Sequence, residues 1–142
     1  IYTGEDTLSL HDALPISRAD EKNVRKADCL IIDCFGLLSS IYRYGEIAYI
    51  GGGFGVGIHN TLEAAVYGIP VIFGPKYQKF QEAIQLLEAK GAFSVKDYEE
   101  LKTLLDRMLT DEVFLRESGM NASNYVTGNA GATDKIMSMI NF

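Results

Sequence analysis

No stretch of this sequence approaches the roughly 18 uninterrupted apolar residues that a membrane-spanning helix needs, so no transmembrane segment is expected. Basic charge is also short. Against 19 Asp and Glu stand 13 Lys and Arg, a formal balance of −6, which argues against a nucleic-acid partner. Cysteine is scarce, with Cys29 and Cys34 alone. Their spacing suits neither a metal site nor a disulfide framework. Both therefore read as reduced, mostly buried residues of a cytosolic protein, at the two ends of an apolar strand. No metal and no cofactor are expected. What remains is ordinary for a globular chain of about one domain: 142 residues, 47% apolar and 23% charged.

The first seventeen residues stand apart. Residues 7–16, TLSLHDALPI, are what ACTCTTTCCCTACACGACGCTCTTCCGATC encodes, the end of a common sequencing adapter. The same frame accounts for Ile1, Tyr2, Thr3 and Asp6, and Ser17 shares the final T. Residues 1–17 are therefore expected to be an adapter-derived artefact that packs against nothing, with native sequence running from 18 to 142. On that reading a His11–Asp12 acid–base pair is set aside and His59 is the only native histidine. The acidic excess also shrinks by Glu5, Asp6 and Asp12.

From Arg18 onward, short apolar runs alternate with helical patterns, the order of parallel β-α-β units. Residues 29–33 predict a buried strand, and 36–44 a short helix with Leu37, Leu38 and Ile41 on one side and Gly45 as its stop. A strand follows at 47–51, then a glycine loop at 51–57 and a helix from about Asn60 to Gly68. Residues 70–74 predict the third strand. A helix at about 80–90 places Phe80, Ile84 and Leu87 on one face and is capped by Gly91, before a short strand at 92–95. The clearest helix is 97–109, with Asp97 as N-cap and Tyr98, Leu101, Leu105 and Met108 as its stripe. Two more helices are expected near 112–125 and 132–141. One sheet of about four parallel strands covered by helices is the economical α/β architecture, with at least one upstream strand expected beyond the chain's start.

Glycine is plentiful, 14 in all, and clustered. The densest cluster, IGGGFGVGIHNTLE at 50–63, lies between a strand and a helix. Such a loop offers backbone N–H groups to a phosphate, though plain tight turns use glycine as well. No register fits G-x-G-x-x-G, which argues against a dinucleotide-binding dehydrogenase, and Ile58 stands where a Walker loop needs Lys. Glu63 has two readings. It can close a capping box on the Asn60 N–H, or accept the two ribose hydroxyls of a nucleotide. Asn60 is either N-cap or phosphate ligand, and His59 either a phosphate donor or the loop's last residue. Glu46 and Asp33 read as solvated or capping groups. Lys76, Tyr77 and Lys79 form a basic loop that either faces an anion or is simply solvated.

The stretch AYIGGGFGVGIHNTLEAAVYGIPVIFGPKYQKFQEA resembles the donor-site segment of the Kdo (3-deoxy-D-manno-octulosonic acid) transferase family. Shared in register are His59, Asn60, Leu62, Glu63, Ala64, Ala65, Gly68, Pro70, Val71, Gly74, Pro75, Phe80 and Glu82. Upstream, DCFGLLSSIYRYGEIAYIGG is similar to a second family segment, and the GGGFGVGIHN form looks most like members from the Bacteroides group. The resemblance runs from about Ala27 to the end of the sequence.

It implies a Rossmann-like parallel sheet flanked by helices, the C-terminal, nucleotide-sugar-binding half of a GT-B glycosyltransferase, truncated on its N-terminal side. It implies CMP contacts at Phe35, Gly36, Leu37, Asn60, Thr61, Leu62 and Glu63. It also implies transfer of Kdo from CMP-Kdo to a lipid A precursor in lipopolysaccharide biosynthesis, at the cytoplasmic face of a bacterial inner membrane. The acceptor, the membrane contact and the catalytic base, a glutamate in the family, would belong to the N-terminal domain, so this fragment should bind without catalysing. Departure of CMP would be eased by amides at a helix N-terminus. Two positions depart from the family: Leu37 replaces a frequent acidic residue, and Val56 an arginine. The rival readings are a UDP-sugar-dependent GT-B enzyme and a non-catalytic nucleotide-binding module.

Overall fold

The computed structural model describes residues 13–131, 137 and 138, and the chain divides into two compact units, 1–40 and 41–142.

In the first unit β1 (Ala13–Pro15) pairs in parallel with β2 (Cys29–Ile31), Leu14 opposite Leu30. A 3-10 turn (Ile16–Arg18) leads to α1 (Glu21–Val24). Asp20 starts that helix: its carboxylate accepts from the Lys22 and Asn23 N–H groups, both at 2.8 Å, while the Asn23 side chain accepts the Asp20 N–H. This reciprocal capping offsets donors that a four-residue helix cannot satisfy internally. The Ser17 N–H donates to Asp33 at 3.0 Å and its hydroxyl donates to the same carboxylate. These bonds, side chain before backbone, hold the Asp33 carboxyl below its ordinary range.

Two expectations fail in this unit. Residues 13–17 do make defined contacts, because a parallel ladder uses backbone groups that any sequence supplies; residues 1–12 lie outside the described part. Residues 29–33 are also not a buried strand. β2 is exposed along its length, as are Cys29 and Cys34, both free thiols. A parallel strand is buried only where both faces are covered. Here one short helix accompanies a two-stranded pair, and no described residue of the unit is buried.

A short helix α2 (Leu38–Ile41) spans the division and continues into a 3-10 turn (Tyr42–Tyr44), which the Gly45 N–H closes onto the Tyr42 carbonyl at 2.9 Å. The second unit holds three parallel strands, β3 (Ala48–Ile50), β4 (Val71–Phe73) and β5 (Ala92–Ser94), in the order β3-β4-β5. The expected single sheet of four strands is thus a three-stranded sheet, because β2 takes β1 as its partner instead. Register sets Tyr49 beside Ile72 and Ile72 beside Phe93.

Alternation along β4 builds both sides of the core. Val71 and Phe73 join Ala48, Ile50 and Ala92 under α3 (Leu62–Ala65), α4 (Gln81–Glu88) and α6 (Glu112–Asn129). Ile72 turns the other way, to Met108, Leu101 and Leu105 of α5 (Tyr98–Thr110) and to Phe114. Phe73, Ile72, Leu86 and Met108 are fully buried, each contributing about 1.5–3 kcal/mol relative to exposure.

Asp97 caps α5 by accepting the Glu100 N–H at 2.9 Å, and Asp111 caps α6 by accepting that of Phe114 at 3.0 Å. The Arg107 guanidinium lies 3.7 Å from the Phe114 ring centre. Three details differ from the sequence pattern. Tyr98 is 69% exposed and outside the buried stripe of α5. Helix α4 buries Ala83 and Leu86, with Phe80 just before its first turn. Lys90, not Gly91, takes the left-handed position after α4, with φ 59°. Gly91 is small for another reason: a Cβ there would sit 2.6 Å from Ala122 of α6. The last expected helix, 132–141, lies outside the described residues except for 137 and 138, which are helical. Among the described residues no helix is long and apolar enough to cross a membrane.

Candidate functional site

Beyond Ile50 the chain folds into a loop laced by its own backbone. The Gly52 carbonyl accepts from Gly55 at 2.9 Å and Gly57 at 3.2 Å, and the Gly51 carbonyl accepts from His59 at 3.3 Å. Gly52 has φ +88°, and a Cβ on it would lie 2.1 Å from the Gly57 oxygen, so only glycine fits. Gly53 lies flat against Gly74: a Cβ would come within 2.5 Å of the Gly74 nitrogen, while the Lys76 N–H ties to the Gly53 carbonyl at 2.9 Å. Of the two readings of the glycine cluster, these positions follow the tight-turn one. Loop closure and the seat on the end of β4 require them before any ligand does.

That closure delivers the next residues to one place. Buried Ile58 anchors the loop's exit, and His59, Asn60, Thr61 and Leu62 then line a cavity of about 210 Å³ whose other wall is Phe80 and Glu82. The Asn60 carbonyl oxygen accepts the Leu62 N–H at 3.0 Å, and its amide nitrogen donates to Glu63 Oε1, also at 3.0 Å. Glu63 is therefore not the reciprocal half of a capping box; its partner is a side chain. Among the described residues the N–H groups of Thr61 and Glu63 have no acceptor. Helix α3 is only four residues long, shorter than the span from Asn60 to Gly68 read from the sequence. A macrodipole is negligible over one turn, so any anion here would be held by individual N–H groups.

Behind α3, the half-buried Tyr42 packs on the core. Burial first, and the Glu63 charge second, raise its hydroxyl above the ordinary tyrosine range. Tyr125 of α6 is raised in the same order of causes, by burial and by Glu82. Neither tyrosine stands out in the sequence, because each reaches its carboxylate through tertiary packing. Lys76 and Lys79 are exposed, whereas the Tyr77 ring lies 5.4 Å from that of Phe73 and belongs to the core. Phe35 is fully exposed, Gly36 adopts φ +85° in open space, and Leu37 is exposed. These three residues sit in the first unit and Asn60–Glu63 in the second. Among the described residues no three His, Cys, Asp or Glu side chains cluster as metal ligands would.

No family model matches the chain. Curated relatives do. The chain is 42% identical over 87 residues to 3-deoxy-D-manno-octulosonic acid transferase from Aquifex aeolicus, covering 60% of the chain and 25% of that protein. It is 32% identical over 116 residues to the transferase of the same name from Rickettsia bellii, covering 80% and 28%. The chain thus spans about a quarter of the length of the curated relatives it matches. A solved structure, the C-terminal CMP-Kdo binding domain of WaaA from Acinetobacter baumannii, superposes with a TM-score of 0.64 at 20% identity. That match covers 71% of this chain and 54% of the other. The expected architecture of parallel sheets flanked by helices is therefore present and shared with that domain. The chain is thus similar in sequence to 3-deoxy-D-manno-octulosonic acid transferases over about a quarter of their length, and its fold is that of the WaaA C-terminal domain.

Proposed function

We propose that this chain is the donor-binding part of a glycosyltransferase that moves Kdo from CMP-Kdo to a lipid A precursor, at the cytoplasmic face of a bacterial inner membrane. The observation that carries the reading is convergence. His59, Asn60 and Leu62 in the middle of the family-like stretch meet Phe80 and Glu82 at its end around a single cavity. In an open parallel sheet, ligands lie beyond the carboxyl ends of the strands, which is where β3 and β4 deliver these residues.

In this reading Asn60, Thr61, Leu62 and Glu63 are the CMP contacts of the second unit, while Phe35, Gly36 and Leu37, in the first, are CMP contacts on the family resemblance alone. The Thr61 and Glu63 N–H groups face the single phosphate, and their hydrogen bonds strengthen as negative charge develops on the departing CMP. Glu63, steadied by the Asn60 amide at 3.0 Å, accepts the ribose hydroxyls. An ionised carboxylate does this better than a neutral acceptor, because charge-assisted bonds are about twice as strong. The base that activates the acceptor hydroxyl, and the acceptor's own site, belong to the facing domain of the full-length enzyme, as does the membrane contact. This chain therefore binds donor without turning it over. Calorimetric titration with CMP and with UDP tests the assignment. CMP should bind clearly more tightly; equal or stronger UDP binding would move the chain to a UDP-sugar enzyme, and no binding of either would end the donor-site reading.

A further inference from the structure

A second cavity adjoins the first. It measures about 370 Å³ and lies between the first turns of α4 and the last turns of α6, with Leu62 and Glu82 common to both cavities. Small-molecule sites usually occupy roughly 300–1,000 Å³. At about 210 Å³ the first cavity falls below that range by itself. A ligand with two chemically different halves fits two compartments that share a wall.

The lining of the second compartment is polar but carries no cation. Its polar members are Gln81, Glu82 and Gln85 from α4 with Tyr125 and Asn129 from α6. The Tyr125 hydroxyl donates to Gln85 Oε1 at 2.6 Å, which leaves the Gln85 amide N–H groups to donate elsewhere. The Asn129 amide donates to the Tyr125 carbonyl at 2.8 Å, which leaves its side-chain oxygen to accept. Glu82, shared by both cavities, is acceptor-only as a carboxylate. Alternating donors and acceptors suit groups that do both at once, as adjacent hydroxyls do, over the apolar floor of Leu62 and Val126.

We infer that this second cavity is the subsite for the hydroxyl-bearing end of the donor sugar. The inference rests on the donor reading above. The sugar's carboxylate and its phosphate link share the anomeric carbon, so both stay at the first cavity while the polyol end points between α4 and α6. Gln85 and Asn129 are then specificity residues for the sugar, independent of the nucleotide.

The test titrates CMP-Kdo, CMP and free Kdo into this chain and into the variants Gln85→Ala and Asn129→Ala. Asn129 lies at the exposed end of α6, so its variant keeps the fold even if loss of the Gln85 bond to Tyr125 loosens the packing. CMP-Kdo should bind the parent chain more tightly than CMP. Each variant should lose about fivefold in CMP-Kdo affinity, the scale of one hydrogen bond, with CMP affinity unchanged. Equal losses for CMP and CMP-Kdo, or none for either, overturn the subsite and leave the nucleotide site standing. Failure of the parent chain to bind CMP overturns both.

Discussion

The Asn60 amide nitrogen donates to the Glu63 carboxylate across 3.0 Å, while the Asn60 oxygen holds the Leu62 N–H at the same distance. One side chain thus starts α3 and aims a carboxylate. Two consequences separate cleanly, because the bond to Glu63 is exposed and joins side chains only.

Glu63→Gln should leave the melting temperature nearly unchanged. A neutral bond at this surface position is worth at most about 1 kcal/mol. CMP affinity should fall by about 1.5–3 kcal/mol, the range for hydrogen bonds to a charged group. Calorimetric titration beside a thermal melt checks both. Unchanged CMP binding would return Glu63 to a purely local role in holding the start of α3.

Asn60→Ala removes the bond to the Leu62 N–H and the aim together. We expect a loss of about 1 kcal/mol in stability, the scale of one hydrogen bond, together with weaker CMP binding. Asn60→Asp keeps the acceptor for the Leu62 N–H but sets a like charge against Glu63. Stability should then hold while CMP affinity drops. If the two variants behave alike in both measurements, the Asn60–Glu63 bond has no part in binding.

The contact of Gly53 with Gly74 predicts a sharp contrast within the glycine loop. Gly53→Ala or Gly74→Ala places a Cβ within 2.7 Å of opposing backbone, which cannot move as a side-chain tip can. Each should destabilise the protein by about 1–3 kcal/mol, as overpacking does. Gly51→Ala meets nothing within 4 Å and should be tolerated. Denaturant melts of the three variants decide this, and equal stabilities would mean the loop does not seat on β4 as described.

Tyr42 carries a pH prediction. Its hydroxyl titrates above the ordinary value of 10.0, through burial and then the Glu63 charge. A group with a raised folded-state pKa stabilises the fold fully below its unfolded pKa and loses that contribution as pH rises through the folded one. Stability should therefore decline above about pH 10. Glu63→Gln should lower the Tyr42 pKa part of the way, because burial remains. Tyrosinate absorbance during alkaline titration, compared with Tyr42→Phe, isolates this hydroxyl. An identical titration in Glu63→Gln would show that the carboxylate does not reach it.

The adapter reading of residues 1–17 predicts a melting curve. Every residue of both core clusters lies at or beyond Tyr42. A chain beginning at Arg18 should thus melt at the same temperature as the whole one. A fall of several degrees would show that the segment does stabilise the folded core.

What was legible in the sequence was local. Strands at 47–51, 70–74 and 92–95 are found within one or two residues, because apolar runs with glycine or proline at their ends need no tertiary knowledge. The cap Asp97 follows equally from chemistry three residues away. The exposure of Cys29, Leu30 and Ile31 was not legible. Burial of a parallel strand depends on what covers it, and an apolar run reads the same either way. In α4, Ala83 and Leu86 win the core over Ile84, because a small residue permits close packing without standing out in a hydrophobic pattern. At the site, the sequence singled out Asn60, Thr61 and Leu62, which line the cavity. The neighbouring cavity was not legible, because Tyr125 and Asn129 of α6 come to Gln85 of α4 only through tertiary packing, Tyr125 from forty residues away.

The loop between β3 and α3 is held at Gly51, Gly52 and Gly53 by four backbone hydrogen bonds, from His59, Gly55, Gly57 and Lys76. Its shape exists before any ligand arrives. A floppy glycine loop would surrender about 1–2 kcal/mol of backbone entropy for each residue it ordered on binding. This one has already made that surrender during folding. Nucleotide capture should therefore proceed in one kinetic phase, its observed rate rising linearly with ligand concentration and showing no plateau from a slow rearrangement. Preorganisation of this kind turns flexible residues into a rigid mould, and it makes speed of arrival rather than loop closure the limit on how fast the site fills.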